Sequence, residues 1–135
     1  MEFKRVTLKV CVDVNPTEDP DKVRVAVKKV LGEIPLETMR NGDSERLIGK
    51  AEGQEALLRF HELIRREQIS DAARKVLFKG IKDNTICFYL NKQVAYVGHI
   101  SFSQSSGESP LGPICVEIES DNPSAVIDWL APKTS

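Results

Sequence analysis

The chain has 135 residues, 41% of them hydrophobic, and a formal net charge of −1. That length supports one sizeable core and is too short for two comfortable domains, so a single domain over residues 1–135 is expected, neither a disordered chain nor a polycationic tail. Of the 19 Lys and Arg only Lys133 lies beyond residue 99, where it faces Glu108, Glu117, Glu119, Asp121 and Asp128, so the basic excess lies upstream.

Residues 5 to 14 alternate strictly, with Val6, Leu8, Val10, Val12 and Val14 on one side and Arg5, Thr7, Lys9, Cys11 and Asp13 on the other. This predicts a half-buried strand. Asp19 followed by Pro20 is a helix start, because the carboxylate accepts orphan backbone N–H groups and proline at the first helical position loses no bond. Val23, Ala26, Val27, Val30 and Leu31 recur at helical spacing, and Gly32 ends the helix. Leu36 to Arg40 and Arg46 to Ala51, separated by "NGDS", read as two short strands or a hairpin arm.

After Gly53, the residues Leu57, Phe60, His61 and Ile64 mark one face of a helix. Ser70 is expected to cap a second helix carrying Ala73, Val76 and Leu77 up to Gly80. "TICFYL", "NK" and "QVAYVGHISF" read as a hairpin, and "SQSSGESPLGP" as a loop. Ile114 to Ile118 is a strand, and Asp121 or Asn122 with Pro123 opens a last helix that Pro132 stops. The fold class that follows is α+β, a two-layer sandwich with a largely antiparallel sheet and helices packed on one face. Leu111, Ile114, Val116, Ile118, Val126, Ile127, Trp129 and Leu130 are then expected to close its core.

Cys11, Cys87 and Cys115 are odd in number and form no C-x-x-C pair, which points to a reducing, cytoplasmic setting and not to a secreted disulfide framework. No apolar run approaches the roughly 20 residues of a membrane span, and "MEFKRVTLKV" lacks the apolar core of a signal peptide. His61 falls on a helix stripe and His99 in an expected strand; neither has the hydrogen-bonded base and orienter that catalysis needs, so no catalytic residue is assigned. The three cysteines with His99 share a strand parity, but without knuckle-type spacing they read as buried thiols, and no metal or cofactor is expected. The glycine-containing loop from Gln104 to Pro113 lacks any phosphate-loop pattern and reads as plain surface.

Residues 54 to 82 carry a cluster of cations. Glu55, Arg59, Glu62 and Arg66 put each Glu four residues before an Arg, a stripe that can neutralise itself at about 0.2–0.5 kcal/mol per pair. Asp71 can pair with Lys75 in the same way. Arg65, Arg74, Lys79 and Lys82 are left over, with Arg5 and Lys9 of the first strand as possible additions, and this set is the candidate RNA-binding surface. In the hairpin, Cys87, Tyr89, Ala95 and Val97 make a second sheet face too apolar to stay in water. A second copy of the chain is the simplest cover, and Tyr89 or Tyr96 stacking on an unpaired base is the other use.

"SPLGPICVEIESDNPSAVIDWLAPKT", the opening strand, the "DP" helix start and "VAYVGHISF" together resemble an archaeal family of uncharacterised, predicted RNA-binding proteins. The resemblance implies a fold similar to the ribosomal protein that carries five-S rRNA, and a homodimer. It carries over no catalytic or binding residues. The expected function is a non-catalytic RNA-binding or RNP-associated homodimer; the alternative is a protein-interaction or scaffold dimer. No membrane partner and no small-molecule substrate is indicated.

Overall fold

A computed structural model describes residues 3–42, 44–103 and 112–133. Its strands are β1 (Val6–Val14), β2 (Leu36–Asn41), β3 (Ser44–Glu52), β4 (Ile81–Lys82), β5 (Thr85–Asn91), β6 (Phe102–Ser103) and β7 (Pro113–Ser120). The helices are α1 (Pro20–Leu31), α2 (Leu58–Arg66), α3 (Ser70–Lys79), α4 (Lys92–Tyr96) and α5 (Pro123–Leu130), with a 3-10 turn over Gln54–Leu57 leading into α2.

The seven strands form one sheet in the order β2-β3-β1-β7-β5-β4, with β6 also paired to β5, and every pairing is antiparallel. The C-terminal strand β7 therefore lies between the first strand and β5, a placement that no local pattern announces. Alternation sorts each strand's side chains. Val6 to Val14 on even positions of β1, Leu47 of β3, Ile86, Phe88 and Leu90 of β5, and Ile114, Val116 and Ile118 of β7 are all buried. The apolar faces of the helices cover that side through Val27, Val30, Phe60, Ile64, Leu77, Val126 and Ile127, giving the expected α+β sandwich with helices on one face.

The helix ends follow the capping chemistry of the sequence. The Asp19 side chain accepts the Asp21 N–H at 2.9 Å with Pro20 at the first helical position, and Gly32 leaves α1 at φ +87°. Asn122, not Asp121, caps α5 by accepting the Ala125 N–H at 3.3 Å. Asp121 instead accepts the backbone N–H groups of Lys4 and Arg5 and so ties the start of β1 to the end of β7. Ser70 is the first residue of α3 and not its cap; Ile69 stands in that position and offers no side-chain bond.

The main correction concerns residues 92–103. They do not form the second arm of a hairpin: after β5 the chain turns into α4, and only Phe102 and Ser103 return to pair with β5. Asn91 starts this helix by accepting the Val94 N–H at 2.9 Å, and the turn draws the Lys92 side chain out of solvent. Ala95 is thus a core residue on α4, and Val97, 62% exposed, lies beyond the helix end; neither belongs to the second sheet face. His99 lies outside any strand. Leu111 falls outside the described residues, as does most of the Gln104 to Pro113 loop, while the remaining residues expected to close the core are buried, Trp129 only partly.

Candidate functional site

The uncovered face of the sheet carries a transverse row set by strand register: Ile48 beside Cys11, Cys11 beside Cys115, and Cys115 beside Tyr89. All three cysteines are free and half-buried. Burial, with the neighbouring Cys11 second, pushes the Cys115 thiol up to about 11, and burial likewise raises Cys11, Cys87 and Tyr89. Thiols held protonated are poor nucleophiles and poor metal ligands. Among the described residues, no group of three or more His, Cys, Asp or Glu is placed to hold a metal ion. Charged rows flank the apolar one: Lys9 lies 2.8 Å from Glu119, and Arg46 lies 2.8 Å from Asp13.

The six cations singled out from the sequence do not form one cluster. Lys9 stands on the open sheet face in its pair with Glu119. Arg74 bridges α3 to α5, 2.6 Å from Asp128 and 3.3 Å from the Ala131 carbonyl, over the Phe78 ring, with its side chain 19% exposed. It acts as a strut between helices.

Arg5, Lys79 and Lys82 are exposed and share one end of the sheet, where the Asn84 carbonyl of the β4–β5 turn accepts the Ser120 N–H and Asp121 holds the Arg5 N–H. Arg65, also exposed, lies in the last turn of α2, before α3 begins at Ser70, whereas Lys79 ends α3. Arg59 is drawn away from Glu55: its Nε donates to the Lys29 carbonyl at 2.9 Å, one of the free acceptors at the end of α1.

Both histidines have structural partners. His61 stacks on Trp129 with ring centroids 4.3 Å apart and planes 3° from parallel. Burial, followed by the Arg65 charge, holds its imidazole below the ordinary value. His99 Nδ1 lies 3.2 Å from Glu67, whose other oxygen accepts the Ile100 N–H at 3.3 Å, so this histidine tethers the segment after α4 to the end of α2.

A further site escaped the sequence. Between α1 and α4 lies a cavity of about 380 Å³ lined by Thr17, Glu18, Asp19, Lys22, Val23, Ala26, Lys92, Gln93 and Tyr96. The Lys92 ammonium donates to Glu18 at 2.9 Å and to the Asp13 carbonyl at 2.8 Å. Lys29 covers the Tyr96 ring at 5.2 Å from its centroid and donates to the Tyr96 carbonyl at 2.8 Å. Reading 92–96 as strand dispersed these residues; the Asn91 cap followed by Lys92, Ala95 and Tyr96 at helical spacing was the available signal.

No helix among the described residues is long and apolar enough to cross a membrane. A family model described as RNA binding matches residues 7–120. The UPF0201 protein of Saccharolobus solfataricus is 44% identical over 130 residues, 96% of this chain and 90% of that protein. The UPF0201 protein of Sulfurisphaera tokodaii is 45% identical over 124 residues, 92% of this chain and 86% of the relative. The crystal structure of the UPF0201 protein from Methanococcus jannaschii superposes with a TM-score of 0.84 at 33% identity, covering 93% of this chain and 99% of that one. With its antiparallel sheet, one-sided helix layer and these likenesses over nearly its full length, the chain belongs to the archaeal UPF0201 family and to the RNA-binding family whose model it matches.

Proposed function

We propose that the protein is a non-catalytic, cytoplasmic RNA-binding or RNP-associated homodimer. The family-model match over residues 7–120 carries this reading. Arg5, Lys79 and Lys82 supply phosphate contacts at the shared end of the sheet, with Arg65 as an outlying contact. Arg74 and Lys9 support the fold around them. With a net charge of −1, affinity depends on these local cations and falls steeply with salt. Three free cysteines fit a reducing compartment.

The open sheet face supports the dimer. A two-fold axis running along the strands between β1 and β7 sets Ile48 over the partner's Tyr89, Cys11 over the partner's Cys115, and Lys9 over the partner's Glu117. In this arrangement apolar meets apolar and no like charges oppose, as an isologous sheet-on-sheet contact requires.

The test is binding of labelled single-stranded and structured RNA at low salt, for the unaltered protein and for K79E/K82E. Micromolar binding that the double reversal abolishes is expected. Absence of binding at low salt, or binding indifferent to the reversal, overturns the reading and leaves a protein-interaction dimer whose cations only solubilise it.

A further inference from the structure

The α1–α4 cavity combines features that phosphate contacts alone do not use. Its lining includes the buried, apolar Val23 and Ala26, and an aromatic residue, Tyr96, 39% exposed. Lys29 stacks its ammonium over the Tyr96 ring and is itself outside the lining. Thr17, Asp19 and Gln93 bring hydrogen-bonding groups to the lining, and Lys22 adds an exposed ammonium that has no ion pair among the described residues.

The walls are preformed. Glu18 accepts from the Asn15 N–H, the Asn15 side-chain amide and Lys92, at 3.0, 2.8 and 2.9 Å, and this ties the loop before α1 to α4. A volume of about 380 Å³ falls at the small end of the range of small-molecule sites, roughly 300–1,000 Å³.

We infer that this cavity takes an unpaired RNA base, stacked on Tyr96 and flanked by a phosphate on Lys22. The inference rests on the RNA-binding reading and gives it a strand type. A flat ring against an aromatic wall and an apolar floor, with polar edges met by side chains, is how single-stranded bases are held. Bases locked in a duplex stack cannot enter. A base presents ring and exocyclic donors that the Asp19 carboxylate in the lining accepts. Lys82 pairs with Thr85 at the start of β5, whereas α4 and this cavity follow its end at Asn91, so the two contributions separate.

The experiment uses a single-stranded RNA oligonucleotide containing 2-aminopurine, and the same oligonucleotide in a duplex, with unaltered protein, Tyr96→Ala, Tyr96→Phe and Lys22→Glu. Expected for the unaltered protein is quenching of the probe and tighter binding of the single strand. Tyr96→Ala removes the quenching and weakens single-strand binding roughly tenfold. Tyr96→Phe keeps both, and Lys22→Glu, a change at an exposed side chain, weakens binding several-fold without altering the melting temperature. Undiminished quenching in Tyr96→Ala, or duplex bound as tightly as single strand, overturns the cavity assignment. If binding is still lost in K79E/K82E, the RNA reading stands without it, whereas failure of the unaltered protein to bind either RNA overturns both.

Discussion

The Lys92 ammonium lies 2.9 Å from a Glu18 carboxylate oxygen with the two side chains only 4% and 10% exposed. Removing one member of a buried pair strands the other's charge, so Lys92→Met is expected to cost about 3–5 kcal/mol. The double change Lys92→Met with Glu18→Leu is expected to recover much of that loss. Urea unfolding of the three variants checks it. Burial pushes the Glu18 carboxyl up, but the Asn15 amide and the Lys92 ammonium outweigh it and hold the group below its ordinary 4.5. Stability from Glu18 is therefore complete above about pH 4.5 and lost as the pH falls through the lower folded value. In the double variant that part of the acid limb disappears.

The stack of His61 on Trp129 makes the chain's single tryptophan a reporter. Because burial and Arg65 hold the imidazole below its ordinary 6.5, the unfolded chain takes up a proton at higher pH than the folded one. Stability is expected to decline as the pH drops from about 6.5 toward the folded value. Protonation also quenches the adjacent indole, so emission from Trp129 falls with a midpoint below 6.5. His61→Phe keeps a stacked ring and abolishes the titration, which a fluorescence pH series reads directly.

Gly80 closes α3 against β5, where its carbonyl accepts the Cys87 N–H at 2.9 Å. A Cβ at this position would fall onto the Cys87 carbonyl oxygen, and backbone on both sides leaves nothing flexible to give way. Gly80→Ala is expected to destabilise by about 3 kcal/mol, at the upper end of overpacking changes. Gly42→Ala, at a turn with open space around it, is expected to show only the smaller strain of its φ of +67°. Thermal melts of the two variants rank them.

Ile48→Asp places a charge in the apolar row of the open face, beside Cys11. In the proposed dimer this halves the mass seen by light scattering while leaving the circular dichroism spectrum unchanged. The cysteines give an independent measure: thiols kept protonated by burial react slowly with iodoacetamide at pH 8, and Cys11 and Cys115 react faster in the Ile48→Asp protein if the second copy had covered them. Equal mass and equal labelling would exclude this face as the contact.

Alternation in β1 and the capping chemistry at Asp19 and Asn122 made those elements legible from sequence, because backbone period and orphan N–H groups act locally. So did the Asn41-Gly42 turn between β2 and β3. The insertion of β7 between β1 and β5 was not legible, since register between segments a hundred residues apart is fixed by packing and not by local pattern. Residues 92–96 misled because "QVAYV" has strand-like composition, while burial of Lys92 against Glu18 favours helix; a lysine with a distant partner looks like a surface residue until that partner is known. The same blindness to distant partners affected the candidate site. Sequence paired Arg59 with Glu55 along one helix, whereas its Nε meets the Lys29 carbonyl, and Asp128 and Glu119, the partners of Arg74 and Lys9, lie far off in the chain.

One detail of α1 reaches further than its own packing. Arg24 extends from the helix across the rim of the sheet, donating to the Thr38 hydroxyl at 2.9 Å and the Leu36 carbonyl at 3.5 Å. It thus sets a charge at the outermost strand, β2, and engages one of its backbone carbonyls, that of Leu36, both of which hinder a stray chain from adding itself to the ribbon. At the crowded concentrations of a cell, that guanidinium limits growth by strand addition at this rim.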